Sequence, residues 1–155
     1  GDTIRFTSLS PYRIKVTGRT KHHINVVGEE LMVENTDAAI AKTCALFDCE
    51  IVDYTVAPVF MSETQKGSHE WIIEFKNPPE DVEKFSMILD ENIQSLNSDY
   101  EAKRYNNMTL NPLVLNVARK NLFYDWLKQN DKLGGQHKIP RLSNDRNYLE
   151  SLLNL

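Results

Sequence analysis

Cysteine is scarce in this sequence, which has only Cys44 and Cys49 among its 155 residues. Their separation fits no zinc-binding pattern, because zinc sites use closer pairs in clusters. We interpret both as small buried side chains in a reducing compartment. A disulfide between them, or a redox site, remains the alternative.

Long apolar runs and targeting signals are also missing. No apolar segment approaches the roughly 20 residues of a membrane helix. The first residues, Gly1-Asp2-Thr3, have neither the basic nor the apolar part of a signal peptide, and the absence of an initiator methionine predicts a cut or processed chain. We expect a cytoplasmic protein that does not bind membranes.

Positive charge is not in excess, with 22 acidic residues against 18 basic ones and a net charge of −4. A nucleic-acid binder that contacts the phosphate backbone needs a basic face, so we expect no nucleic-acid partner. A content of 41% hydrophobic and 26% charged residues is ordinary for one globular domain, here long enough to bury a core without metal or disulfide. The even spread of charge is compatible with a monomer.

Hydrophobic periodicity predicts an α+β fold. Alternation predicts strands over 3–7, 12–17, 22–27, 51–61, 69–76 and 113–117, with 12–27 as a hairpin. Helical spacing predicts helices over 36–48, 82–96 and 120–130, a short helix from Ser98 and a final helix capped by Ser143. From residue 22 the order matches the ferredoxin-like βαββαβ unit, with an added N-terminal hairpin and C-terminal helices. Trp71 and Trp126 fall on apolar faces and are expected in the core.

Other polar residues give no strong functional signal. His22 and His23 are neighbours on a strand and point to opposite faces, so they do not bind one metal ion together. The paired acids Glu29-Glu30 and Asp90-Glu91 are interpreted as solvated faces. We therefore predict no metal site.

The segment 134–141 is the most unusual part of the chain. Gly134 and Gly135 give a mobile approach to Lys138, and Pro140 stiffens the chain before Arg141. A mobile loop that carries a cation suits an anionic ligand or a negative charge developing on oxygen. It is not a Walker loop, since the required spacing is absent. A solvated surface loop has the same features, so the residues alone indicate a soluble α/β domain and do not assign a function to it.

Several motifs together resemble the acyl-adenylate-forming enzymes. Gly18-Arg19-Thr20-Lys21, followed by an apolar strand, is similar to their hinge motif, and 134–141 is similar to their C-terminal lysine motif. The finer match, over nearly the whole chain, is to the auxin-responsive acyl acid amido synthetases, bacterial members above all. Its motifs are matched in order by Leu96, Asn97, Tyr100 and Arg104, by Pro112, Leu113, Val117 and Phe123, and by Gln136, His137, Lys138, Pro140 and Arg141.

This resemblance implies that residues 1–155 form a single C-terminal lid domain whose own N-terminal adenylation domain is absent. The implied enzyme is an acid–amino acid ligase that uses ATP with Mg. It adenylates a small carboxylic acid, releases pyrophosphate, and transfers the acyl group to an amino acid amine. The isolated fragment is expected to be inactive and to hold no bound cofactor.

The resemblance also assigns site residues. Asp2 matches the acid that binds the ATP ribose hydroxyls, and Arg19 matches an arginine near the ribose and phosphate. Lys138 matches the catalytic lysine, which reaches the α-phosphate and the acyl oxygen. Lys21 occupies the hinge position, where many relatives have Asp. The residues that support the lysine loop are Gly134, Gly135, Gln136 and Arg141.

Two other functions fit the same sequence. Ferredoxin-like domains also occur as stand-alone ligand-binding or interaction modules, and fold alone does not separate these from an enzyme lid. The lid of an acyl-CoA-type ligase, which passes the acyl group to a thiol, would carry similar motifs. An upstream phosphate-binding loop would favour an enzyme over a module.

Overall fold

The computed structural model describes residues 2–19, 23–134 and 137–155, with backbone alone for residues 2, 3 and 17–19. Its strands are β1 Asp2–Leu9, β2 Tyr12–Arg19, β3 His23–Ile24, β4 Leu31–Met32, β5 Glu50–Val59, β6 Ser68–Asn77 and β7 Val114–Val117. Its helices are α1 Val33–Phe47, α2 Val82–Leu96, α3 Ser98–Arg104, α4 Leu122–Gln129 and α5 Asn147–Leu153. The predicted α+β class is confirmed.

The N-terminal strands pair differently from the prediction. β2 pairs antiparallel with β1 across a tight turn at Ser10-Pro11, while β3 pairs with β4. The predicted 12–27 hairpin is therefore wrong. Alternation identified β2 as a strand, but a strand can pair with either neighbour, and the shorter loop lies on its N-terminal side.

The main sheet has the order β5-β6-β7, with β5–β6 antiparallel and β6–β7 parallel. A further segment runs parallel beside β5, where Val56 pairs with Leu142. The first strand of the predicted βαββαβ unit corresponds to β3, which lies with β4 rather than in this sheet. Two-residue strands such as β3 carry too few side chains for periodicity to indicate their partner.

Helices cover both faces of the main sheet. One face of β5 and β6 packs against α1 and α2 around Trp71, and the other packs against α4 and α5 around Trp126. Both tryptophans are at most 5% exposed, so their predicted core positions are confirmed. β5 and β6 contribute five buried side chains to the cluster around Trp71: Tyr54, Val56, Trp71, Ile73 and Phe75.

Polar side chains cap the N-terminal ends of α2 and α3. Asp81 accepts a hydrogen bond from the Lys84 backbone N–H at 2.9 Å and caps α2. α3 starts at Ser98 as predicted, and Asn97 caps it. Ser143 does not cap the final helix, because α5 starts only at Asn147. Among the described residues, no helix is both long enough and apolar enough to cross a membrane.

Candidate functional site

The residues after Lys138 are firmly attached to the main sheet. The Thr55 hydroxyl donates a hydrogen bond to the Pro140 carbonyl at 2.7 Å. The Val56 N–H donates to the Arg141 carbonyl at 2.9 Å, and the Ser143 N–H donates to the Val56 carbonyl at 3.1 Å. Lys138 itself is exposed, just before this anchored segment. Lys138 is therefore a surface cation, and the chain on its C-terminal side is held in place.

The glycines and the glutamine before Lys138 are only partly described. Gly134 has a φ of +85° and is open to solvent, so it adopts a backbone conformation that favours glycine. The predicted supporting residues Gly135 and Gln136 lie outside the described residues.

Arg141 has a structural partner on α1. Its guanidinium forms an ion pair with the Asp37 carboxylate at 2.5 Å and lies 5.4 Å from the centre of the Tyr54 ring. The Tyr54 hydroxyl donates to Asp37 at 2.6 Å. Burial raises the pKa of Tyr54, and the nearby Asp37 carboxylate raises it further. Arg141 thus fastens the lysine segment to α1.

An acidic side chain that the sequence did not single out lies beside this segment. Asp53 is on β5, and its carboxylate accepts a hydrogen bond from the Tyr54 N–H at 2.9 Å. Burial raises the pKa of Asp53, while the positive charges of Arg141 and Lys138 act to lower it. No local pattern marks this residue, because its cationic neighbours come from a distant part of the chain.

The two predicted nucleotide-binding residues at the N-terminus are brought together by the backbone. In the β1–β2 pairing Asp2 is the partner of Arg19, at the open end of the hairpin. The predicted hinge residue, Lys21, follows this end of β2 and lies outside the described residues. The backbone register therefore sets positions 2 and 19 opposite each other.

The hairpin carries a large apolar surface, here called the hairpin apolar surface. Its backbone register sets Ile4 opposite Val16 and Phe6 opposite Ile14. Its members, each more than half exposed, are Ile4, Phe6, Leu9, Tyr12, Ile14 and Val16. A contiguous apolar surface of this kind is unusual on an isolated domain and is typical of an interface.

Glu29 was interpreted as solvated, and that prediction is wrong. Its carboxylate is 0% exposed and accepts hydrogen bonds from the backbone N–H groups of Val26 and Val27, at 2.7 and 2.8 Å. It also contacts the buried Nε2 of His69 at 2.8 Å. Burial opposes ionisation, but these hydrogen bonds outweigh it and lower the pKa of Glu29 to about 2. The carboxylate therefore ties the chain after β3 to β6.

Asp90 was also interpreted as solvated, and it is buried. Its carboxylate accepts hydrogen bonds from the Arg104 guanidinium at 2.8 Å and from the Tyr100 hydroxyl at 2.6 Å. Burial raises the pKa of Tyr100 well above its usual value. Three residues of the Leu-Asn-x-x-Tyr-x-x-x-Arg motif thus act structurally, because Asn97 caps α3 and the other two bind Asp90.

The cysteines are free, as expected. Cys49 is buried and Cys44 is half-buried. Burial, together with the neighbouring Cys49 thiol, raises the pKa of Cys44 to about 12. Within the described ranges, no group of three or more His, Cys, Asp or Glu side chains is arranged to hold a metal ion.

Comparison with known proteins shows which family this domain resembles. The model of the GH3 family C-terminal domain matches residues 34–147. A solved GH3.15 acyl acid amido synthetase is similar over 99% of this chain and 30% of its own, with a TM-score of 0.77 and 19% identity. AtGH3.15 acyl acid amido synthetase in complex with 2,4-DB is similar over 99% of this chain and 29% of its own, with a TM-score of 0.72 and 18% identity. Among curated proteins, none matches this sequence.

This chain therefore spans about a third of the length of the two synthetase structures that share its fold. The match to the family model extends from the start of α1 to the start of α5 and takes in the sheet with its anchored lysine segment. The resemblance to the acyl acid amido synthetases is thus confirmed, and the chain belongs to the GH3 family as a C-terminal domain.

Proposed function

We propose that this chain is the C-terminal lid of an ATP-dependent acyl acid amido synthetase, a longer ligase that produces AMP. The observation that carries the proposal is the exposed Lys138 ammonium, held at the end of an anchored segment in a domain of this family. The anchor keeps the cation in a defined region, and its exposure leaves it available to an anionic substrate.

In the proposed reaction a carboxylate oxygen attacks the α-phosphorus of ATP, and the bond to pyrophosphate breaks. Lys138 stabilises the negative charge on the phosphate and acyl oxygens as pyrophosphate leaves. An amino acid amine then attacks the acyl carbon of the mixed anhydride, forms the amide and releases AMP. Rotation of the lid between the steps, with Lys21 as the hinge residue, would admit the amine.

Asp2 and Arg19 are proposed to hold the nucleotide. A carboxylate accepts two hydrogen bonds from the vicinal hydroxyls of a ribose, and a guanidinium pairs with phosphate. The β1–β2 register supports this role because it sets the two residues opposite each other. Mg would neutralise the phosphates when ATP is bound, and we expect its ligands to come from ATP and the N-terminal domain.

The proposed partner is the protein's own N-terminal adenylation domain. The hairpin apolar surface supports this, because the hairpin also carries the proposed nucleotide-binding pair and would have to lie against the rest of the active site. Burying these side chains would give the closed lid a hydrophobic contact. The assembled protein is proposed to be a cytoplasmic monomer that acts on small carboxylic acids and amino acids.

Acid-dependent pyrophosphate release by the longer protein tests this function. We expect release with ATP and one or more carboxylic acids from a panel, and a loss of at least about 10²-fold in Lys138→Ala, the scale of removing one preorganised charge stabiliser. Lys128→Ala is the matched control, because Lys128 is exposed in the last turn of α4. Asp2→Ala should weaken ATP binding in the same protein.

Each other outcome points to another function. An unchanged rate in Lys138→Ala would refute the role of Lys138. Release without amide formation, but with thioester formation when a thiol is supplied, would indicate the thiol-dependent ligase. Absence of release with every acid from a folded protein would favour the stand-alone binding module.

A further inference from the structure

Asp53 is a partly buried carboxylate beside the anchored lysine segment, and neither the family motifs nor the proposed reaction gives it a role. We propose that Asp53 is a positioning residue for Lys138: its charge attracts the ammonium to the edge of the sheet and limits the region it occupies. The proposal rests on the proposed function of Lys138, since positioning matters only if the ammonium acts on a substrate.

The backbone brings the two residues together. Val56 pairs in parallel with Leu142, and the Thr55 hydroxyl donates a hydrogen bond to the Pro140 carbonyl. Asp53 lies two residues before Thr55 on β5, and Lys138 lies two residues before Pro140. Because the two segments run parallel, Lys138 lies on the side of Pro140 that is toward the Asp53 end of β5.

Of the charged groups that act on the Asp53 carboxylate, Glu74 and Arg141 have other partners in the structure. Glu74 lies opposite Asp53 in the β5–β6 pairing, but its carboxylate already binds the backbone N–H groups of Asn121 and Phe123 at the start of α4. Arg141 also acts on the Asp53 carboxylate, but its guanidinium is already ion-paired with Asp37 on α1. The Lys138 ammonium is the second cation that acts on the Asp53 carboxylate, and it belongs to an exposed side chain.

The charge of Asp53 is unfavourable for the fold itself. Burial raises its pKa, and the Glu74 carboxylate acts in the same direction. Because the folded-state pKa lies above the ordinary value, the ionised group destabilises the fold at neutral pH, and this cost appears as the pH rises through the two pKa values. An asparagine oxygen could accept the same Tyr54 N–H without that cost. A carboxylate whose charge destabilises the fold, close to a surface cation, is more typical of a functional residue than of a structural one.

Two measurements test the proposal. In the 155-residue chain, the Asp53 carboxyl is titrated by carbon-13 NMR in the wild type, in Lys138→Met and in the control Lys128→Met. We expect Lys138→Met alone to raise the pKa of Asp53, because it removes a charge that lowers it. An Asp53 titration unchanged by Lys138→Met would overturn the proposal, whether or not the protein is a ligase.

In the longer protein, Asp53→Asn should lower kcat for acid-dependent pyrophosphate release by about tenfold, the scale of a modest misplacement of a catalytic group. We expect little change in KM for the acid, a melting temperature no lower than wild type, and partial recovery in Asp53→Glu. A variant with a lower melting temperature and unchanged kcat would show a structural role instead. If the wild type releases no pyrophosphate, the proposed function fails, and the titration still decides whether the two charges are coupled.

Discussion

The buried Glu29 carboxylate provides a sharp test of the energetics of this domain. Glu29→Gln keeps the size of the side chain but removes the charge. The glutamine oxygen can still accept one hydrogen bond, while its amide group faces a backbone N–H that the carboxylate had satisfied. The His69 ring also loses its hydrogen bond to a charged carboxylate oxygen. Both losses occur in a site that water does not reach.

The expected magnitude follows from the ionisation of Glu29. Its pKa is lowered from 4.5 to about 2, because hydrogen bonds from His69 and from the Val27 and Val26 amides outweigh the cost of burial. A tenfold change in proton affinity is worth about 1.4 kcal/mol, so the ionised form stabilises the fold by about 3 kcal/mol. This is a large share of the roughly 5–15 kcal/mol by which domains are stable. A folded-state pKa below the ordinary value means that the stabilisation is present above pH 4.5 and is lost as the pH falls toward 2.

Urea unfolding followed by circular dichroism, repeated between pH 7 and pH 2, measures this effect. We expect Glu29→Gln to be about 3 kcal/mol less stable than wild type at pH 7 and the two to converge near pH 2. Glu30→Gln is the matched control, because Glu30 is adjacent and exposed. A gap between wild type and Glu29→Gln that stays constant down to pH 2, or an equal loss in Glu30→Gln, would refute the reasoning.

Two further predictions concern buried groups. Asp90→Asn leaves the buried Arg104 guanidinium without a full counter-charge and should cost about 3–5 kcal/mol in urea unfolding, whereas Glu50→Gln, in an exposed ion pair, should leave the unfolding midpoint unchanged. Equal midpoints for Asp90→Asn and wild type would contradict the role of the buried pair. Cys44 should react with a disulfide reagent at pH 8 at least about tenfold more slowly than free cysteine, because a pKa of about 12 leaves about 10³-fold less thiolate. Reaction of the folded chain at the free-cysteine rate would show that the thiol is not shielded.

The secondary structure was largely accessible from the sequence because it depends on local spacing. Alternation identified β5 and β6 to within a few residues, and acidic residues after Pro79 marked the start of α2. β3 was predicted too long, over 22–27, and β4 was not predicted. Two residues do not establish a period, and their pairing depends on a loop closed by the Glu29 carboxylate.

The sequence by itself determined the α+β class, the core tryptophans and the family, through motifs spread along the chain. The family resemblance also gave Lys138 as the candidate catalytic residue, because the lysine motif is visible without coordinates. These features depend on residue type and on short-range order. The resemblance therefore identified the family before any contact was known.

Only the tertiary structure decided which acids are buried and which charges meet. Glu29 binds His69 across 40 residues of chain, and Thr55 holds the lysine segment across 85. An acid in a polar stretch has the same local pattern whether it is solvated or paired, because the difference lies in neighbours that folding brings from elsewhere. The anchoring of the lysine segment beside β5 has the same origin, because hydrogen bonds between two distant parts of the chain hold it there.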